Sequence, residues 1–228
     1  MDIPPLDNQA KLSGNCFYFA ADNIYFDLYG KALALSLLDR APWSKVHVHF
    51  YNQTIEQKDW CERKNISYSN DIIDRDNPEF RTLCACIRFI RIPEIFDPSA
   101  KIISFDCDVI ANTTIPLSKF LEATDISKIT IRKGGRSLAS AISFGIDDFR
   151  NTYSTRLKES FKQGNIYWFL DQDILDSMLI EKPIPKLDSE WTGTKMTPDR
   201  MIWTAKGDRK TSRVQYQQLI DYYLKNDK

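Results

Sequence analysis

The stretch Lys101-Ile102-Ile103-Ser104-Phe105-Asp106-Cys107-Asp108-Val109-Ile110 decides the fold. Its β-branched and aromatic residues make an apolar run of strand length, with an Asn112-Thr113-Thr114 turn signal just beyond. Two carboxylates one residue apart end that strand, which places Asp106 and Asp108 at the carboxyl edge where open α/β sheets bind ligands. Paired hard oxygen donors there suit Mg²⁺ or Mn²⁺, ions that usually accompany nucleotide phosphates. Asp-x-Asp is also a common turn marker, so the rest of the chain has to decide.

Upstream, Cys16 to Ala20 reads as a first strand ending in Ala21-Asp22-Asn23. Leu28, Ala32, Leu35 and Leu38 recur at helical spacing. Val46 to Tyr51 alternates as a second strand with His47 and His49 on one face, read as a half-exposed face rather than a metal site. Thr54 with Gln57 forms a capping-box pattern opening a helix to about Lys64. Phe80, Leu83, Ile87 and Ile90 mark a helix that Pro93 is expected to end, with Cys84 and Cys86 as small core residues.

Downstream, the pattern predicts a short helix over 116–122 and strands over 126–132 and 139–146, with Gly134-Gly135 as a turn. Helices follow over 153–161 and from Ile174 through Leu179, then an irregular segment over 183–210. A terminal amphipathic helix carries Tyr216, Ile220, Tyr223 and Leu224. Strands alternating with helices through the first 110 residues argue for an α/β domain with a mostly parallel sheet.

The composition fits one soluble domain of 228 residues, 43% hydrophobic and 27% charged. Thirty-one basic residues balance 31 acidic ones, which argues against a nucleic-acid partner. No apolar stretch reaches the roughly 18 residues of a transmembrane helix, and the start lacks a secretory pattern. Five cysteines without a framework and only two histidines suggest free thiols in a reducing, cytoplasmic setting, and argue against a Cys/His zinc site. The sequons at Asn65 and Asn112 are then chance matches.

In order along the chain stand Ala20-Ala21-Asp22, Arg88, Asp106-Cys107-Asp108, Asp171-Gln172-Asp173-Ile174-Leu175 and Lys206-Gly207-Asp208-Arg209-Lys210. This constellation resembles the retaining nucleotide-sugar glycosyltransferases of family 8, the glycogenin and bacterial lipopolysaccharide galactosyltransferase group. The likeness runs from about Phe17 to Lys210. It implies a single GT-A-like, Rossmann-type α/β domain with a mixed, mostly parallel sheet. Residues 14–125 would form the nucleotide-binding half, 126–210 the sugar and acceptor half, and 211–228 a C-terminal helix. It also implies a metal-dependent hexosyltransferase with a UDP-sugar donor and an unidentified carbohydrate or other hydroxyl acceptor.

By the same resemblance, Asp106 and Asp108 would hold Mn²⁺ (or Mg²⁺), and Ala20, Ala21, Asp22 and Cys107 would line the nucleotide side. Arg88 would clamp the donor, and Lys206, Gly207 and Lys210 would close on the diphosphate. Asp171 would bind the donor sugar, with Gln172 beneath its anomeric carbon. The acceptor side would be built from 183–204 and 133–140. The chain departs from the family in several places. Thr204 stands where a metal-binding His is usual, Thr211-Ser212 replaces Pro-Trp, Asp176 replaces an Asn, and Ala139 or Ser140 replaces another.

Two other readings fit part of the pattern. A strand followed by Asp106-x-Asp108 also opens haloacid-dehalogenase-type phosphatases, with Asp147-Asp148 as later carboxylates. A non-catalytic sugar-nucleotide-binding protein on the same fold is the other. Arg88 as a solvated helix charge and Asp171-Gln172-Asp173 as a helix cap are the bland alternatives for those residues.

Overall fold

The computed structural model describes residues 3–6, 10–131, 135–191, 196–205, 207 and 209–227. In chain order the elements begin with β1 (Asn15–Asp22), α1 (Asn23–Tyr25), a π-helical turn (Phe26–Gly30), α2 (Lys31–Arg40), β2 (Lys45–Tyr51) and α3 (Ile55–Arg63). There follow β3 (Ser67–Asp71), α4 (Phe80–Ile95), β4 (Lys101–Asp106), β5 (Val109–Ala111) and α5 (Leu117–Ala123). The chain closes with β6 (Lys128–Ile131), β7 (Ser137–Phe144), α6 (Phe149–Lys162), α7 (Leu170–Glu181), β8 (Ile202–Thr204), α8 (Arg209–Ser212) and α9 (Val214–Lys225).

The main sheet has the order β3-β2-β1-β4-β7-β6. β1 pairs parallel to β2 and β4, and β2 parallel to β3, while β7 runs antiparallel to both β4 and β6. The result is the expected α/β domain with a mixed, mostly parallel sheet. β1 sits at its centre because its side chains are apolar on both faces. Phe17, Phe19 and Ala21 pack into one core with residues of α2, α3 and α5. Cys16, Tyr18 and Ala20 pack into the other with residues of α4, α6 and α7. A third cluster seats Tyr216, Ile220 and Tyr223 of α9 against Ala32, Ile110 and Trp203, so the terminal helix belongs to this domain.

Four expectations need correction. Pro93 does not end its helix: α4 runs on to Ile95. The ring removes one donor, but Ile92 and Ile95 are buried and the Phe96 amide still donates to the Ile92 carbonyl at 3.0 Å. His47 and His49 are buried, not half-exposed, because Ser67, Ser69 and Asp71 of β3 satisfy their ring nitrogens. The segment 183–210 contains β8, which pairs with β5 just after Asp108 and is too short to show a period. The expected helix from about Asp27 to Asp39 is not regular throughout: a π-helical turn over Phe26–Gly30 lies between α1 and α2, where a Cβ on Gly30 would come within 2.7 Å of the Phe26 ring. The Thr54–Gln57 capping box is present at the start of α3. Among the described residues, no helix is long and apolar enough to cross a membrane.

Candidate active site

Parallel strands β1 and β4 end side by side, with Ala20 in register with Asp106. That edge is where the backbone leaves the sheet and where side chains from helices can converge. Arg88 rises to it from α4, although only 7% of the residue is exposed. Its Nη1 donates to Asp106 Oδ1 at 2.6 Å, and its Nη2 donates to the Ala139 carbonyl at 3.1 Å and lies 3.7 Å from Asp171 Oδ2. Its Nε donates to the Ala85 carbonyl at 3.1 Å, and the guanidinium lies 4.4 Å from the Phe89 ring centroid. Burial alone would lower the Arg88 pKa, but the two carboxylates outweigh it and the net shift is upward. The guanidinium is therefore a permanent cation joining β4 to α7.

Asp171 reaches Arg88 because of the way α7 begins. Phe169 takes a left-handed conformation, φ 77°, unusual for a non-glycine residue, and α7 follows with Asp171 in its first turn. The Asp171 Oδ1 accepts from the Gln172 amide at 2.9 Å, and the Tyr153 hydroxyl donates to the Asp171 carbonyl at 2.9 Å. Gln172 is half-buried, and its carbonyl accepts from the Ser137 hydroxyl at 3.1 Å. Asp176, one turn along from Gln172, accepts from the Ser137 amide at 2.7 Å and so ties α7 to β7.

Asp108 has a different cation. Lys210 Nζ lies 2.6 Å from Asp108 Oδ2, and Tyr216 of α9 donates to the Asp108 carbonyl at 2.7 Å. The same ammonium stands 4.9 Å from the Tyr25 ring centroid and 5.3 Å from that of Tyr29. The π-helical turn beside Gly30 sets those two rings as neighbours, 5.7 Å apart. Burial pulls the Lys210 pKa down, but Asp108 more than restores it and the net shift is upward. Lys210 is thus a cation at any ordinary pH. Gly207, at φ 59°, accepts from the Lys210 amide and makes the turn that begins α8.

Asp22 accepts from the Ile24 and Tyr25 amides at 2.9 Å each, capping α1, and lies 3.3 Å from Arg75 Nη2. Ala20 and Ala21 are buried at the strand end. Cys107 packs against the aromatic core, where burial and then Asp108 push its thiol pKa well up, so it is no nucleophile. The structure therefore gathers Ala20, Arg88, Asp106 and Asp171 at one edge. Asp108, Lys210 and the Gly207 turn adjoin it through the short Asp106–Asp108 connection. Lys206 lies outside the described residues, as do residues 133–134 and 192–195 of the expected acceptor segments. The bland reading of Arg88 as a solvated charge fails.

Sequence reasoning missed Tyr25, Tyr29 and Tyr216, which wall the Asp108–Lys210 pair. The four-residue spacing of Tyr25 and Tyr29 just after Asp22 was the available signal. Asp147 and Asp148 do not approach the pair. β7 pairs Phe144 with Ile102 and Ala141 with Phe105, so the chain after Phe144 continues at the opposite end of β4 from Asp106. Asp147 there accepts from the Ser127 amide and hydroxyl.

The donor chemistry of Asp106 and Asp108 fits a hard divalent cation, since both present carboxylate oxygens. Among the described residues, no three or more His, Cys, Asp and Glu gather as a metal cluster. Thr204, in register with Val109, carries a buried hydroxyl without a hydrogen-bond partner among the described residues.

No family model matches the chain, and no curated protein sequence matches it. Solved structures do. The apo WbbM bifunctional glycosyltransferase superposes with a TM-score of 0.68 at 15% identity, over 96% of this chain and 51% of its own. This chain thus spans about half the length of WbbM. The galactosyltransferase LgtC, in complex with donor and acceptor sugar analogues, gives a TM-score of 0.63 at 16% identity, over 91% and 95% of the two chains. The apo glycosyltransferase GlyE of Streptococcus pneumoniae TIGR4 gives 0.60 at 12%, over 93% of this chain and 64% of its own. The fold is that of GT-A glycosyltransferases. At these identities the likeness is one of fold, and the chemistry has to be argued from the side chains.

Proposed function

We propose that this protein is a retaining glycosyltransferase that moves a hexose from a UDP-sugar to a hydroxyl acceptor. The observation that carries the reading is Arg88 joining Asp106, at the end of β4, to Asp171, at the start of α7. Taking a cation and two carboxylates out of water costs desolvation. At the carboxyl edge of a glycosyltransferase fold the cluster has a use. Arg88 orients Asp171 toward the donor sugar hydroxyls and Asp106 toward the diphosphate. Asp106 and Asp108 are the residues to hold Mg²⁺ or Mn²⁺, which when bound supplies positive charge against the departing diphosphate.

Gln172, neutral and half-buried, would lie beneath the anomeric carbon and favour its developing positive charge through the amide oxygen. On this reading the acceptor attacks from the leaving-group face, with no covalent intermediate on a side chain. The bond from the anomeric carbon to phosphate breaks, the acceptor oxygen bonds to that carbon, and its proton passes to a diphosphate oxygen. The phosphatase alternative loses its second carboxylate set, since Asp147 and Asp148 follow the far end of β4.

The test is to supply UDP-hexoses with Mn²⁺ and follow the anomeric proton by NMR. From α-linked donors, UDP release with the α-configured product or free sugar appearing first supports the reading. The β-anomer appearing first overturns retention. Phosphate release from simple esters, without UDP release from any donor, overturns the transferase.

A further inference from the structure

We infer that Tyr153 and Ser137 are positioning residues of the transfer: their buried hydroxyls hold the carbonyls of Asp171 and Gln172 and set the first turn of α7 against Arg88. This rests on the reading of Asp171 and Gln172 as contacts of the donor sugar and adds how they are held. α7 opens on Phe169 with no side-chain hydrogen bond capping it. Phe169 is itself left-handed, a conformation that persists only where the surrounding structure enforces it. Two other elements contribute that support. From α6 the Tyr153 hydroxyl donates to the Asp171 carbonyl at 2.9 Å, and from β7 the Ser137 hydroxyl donates to the Gln172 carbonyl at 3.1 Å. Tyr153 is 0% and Ser137 1% exposed, so water does not compete for either bond.

A helical carbonyl gives one lone pair to the amide four residues on and keeps a second. The two hydroxyls take that second place on neighbouring residues. Successive residues stand about 100° apart around a helix axis, so the two bonds fix the rotation of this turn as well as its place. Rotation is what decides where the Asp171 and Gln172 side chains lie. Tyr153 also supports the other partner of the ion pair. Its ring lies 5.0 Å from that of Phe89, whose centroid is 4.4 Å from the Arg88 guanidinium. From β1, the Tyr18 hydroxyl donates to the Arg88 carbonyl at 2.8 Å and holds α4 on its own side. Among the described residues, neither the Tyr153 nor the Ser137 hydroxyl bonds to β1 or β4, which carry Ala20, Asp22 and Asp106. The sugar end of the site is thus set separately from the nucleotide end.

The experiment compares wild type, Tyr153→Phe and Ser137→Ala, each of which removes one hydroxyl and little else. Calorimetry with Mn²⁺ gives the affinities for UDP, UDP-glucose and UDP-galactose, and UDP release from the same donors gives kcat and KM. Both variants should bind UDP as wild type does, which also shows that they are folded. Tyr153→Phe should bind the UDP-hexose about 5–10-fold more weakly, because Asp171 meets the sugar in the ground state. Ser137→Ala should lose about the same factor in kcat with KM little changed, because Gln172 acts on charge that develops only in the transition state. Wild-type UDP-hexose affinity in Tyr153→Phe together with wild-type kcat in Ser137→Ala would overturn the inference and leave the donor reading intact. An equal loss of affinity for UDP and UDP-hexose would also overturn it, since a general loosening of the domain predicts that result. Absence of UDP binding in wild type would overturn the donor reading itself.

Discussion

Arg88 and Arg91 stand one helical turn apart on α4, both buried, both paired with aspartates, and they do opposite things. Arg91 forms a fork with Asp71, Nε and Nη2 donating at 2.8 and 2.7 Å, and Nη1 donates to Glu94 at 2.5 Å. Behind Asp71 runs a chain of contacts through His49, Ser69 and His47 to Ser67, each 2.8–3.0 Å. With both rings neutral, His49 Nε2 donates to Asp71, Ser69 to His49 Nδ1 and His47 Nε2 to Ser69, while the Ser67 hydroxyl is shared between His47 Nδ1 and the Val46 carbonyl. Every ring nitrogen has a partner. This seam is closed and holds β2, β3 and α4 together. Arg88 also bridges two carboxylates, but at the carboxyl end of the sheet, with the Asp108–Lys210 pair adjoining. Burial of charge does not by itself mark function; what matters is whether the network closes on itself or ends where a ligand can enter.

The contrast predicts separable damage. Arg91→Met leaves Asp71 and Glu94 without their shared partner inside the protein, which costs about 3–5 kcal/mol. A melting curve should show a fall of roughly 6–20 °C, with UDP affinity of the folded fraction unchanged. If Arg91→Met melted normally but lost UDP, the two arginines would have to exchange roles. Arg88→Lys keeps a charge but not the fork between Asp106 and Asp171. Its kcat/KM should fall about 10²–10³-fold, with a smaller thermal loss than Arg91→Met; full turnover would make Arg88 a structural residue too.

A smaller effect sharpens the seam's side of the comparison. Burial lowers the His47 pKa to about 3, and burial also lowers that of His49. The unfolded chain takes up protons near pH 6.5 that the folded one refuses, so stability declines as pH falls from about 6.5 toward 3. Each displaced proton contributes about 1.4 kcal/mol per pH unit in that window. Asp71 adds a loss only lower down. Although burial would raise its pKa, hydrogen bonds from His49 and Arg91 hold it at about 2, so its contribution goes as pH falls from about 3.8 to about 2. Urea unfolding at pH 7, 6 and 5 should show the histidine slope, and His47→Gln should reduce it by one proton. The smallest effect is Lys158→Ala at the seam's half-exposed outer end, where the 2.8 Å pair with Glu94 is screened by water. Its loss should cost under about 1 kcal/mol in the same assay.

Much of the fold was legible because burial left a strong pattern. β1 and β4 are apolar on both faces, the Thr54–Gln57 cap is local, and Asp106 ends β4, although Asp108 proves to stand in the turn before β5. The Arg88 site was legible only through the order of the motifs, since nothing in the helical spacing of Phe80 to Ile90 says that Arg88 faces inward. The seam was not legible: His47 and His49 become core residues only because β3 brings Ser67, Ser69 and Asp71 alongside, and a sequence period cannot show a partner strand. β8 was hidden for the same reason, three residues whose pairing with β5 is set by tertiary contact. Pro93 misled because a proline's local cost was smaller than the burial of Ile92 and Ile95 on either side of it.

The central claim is that the edge bearing Asp106 and Asp108 is a uridine diphosphate site. The most direct measurement is a thermal-shift titration with UDP, GDP and ADP, each with and without Mn²⁺, on wild type and Asp106→Asn. A ligand at a hundred times its dissociation constant adds about 2.7 kcal/mol, roughly 5–10 °C for a chain this size. The account predicts that rise for UDP with Mn²⁺, little for the purine nucleotides, and its loss in Asp106→Asn. No shift with any nucleotide, or an equal shift in Asp106→Asn, would contradict it.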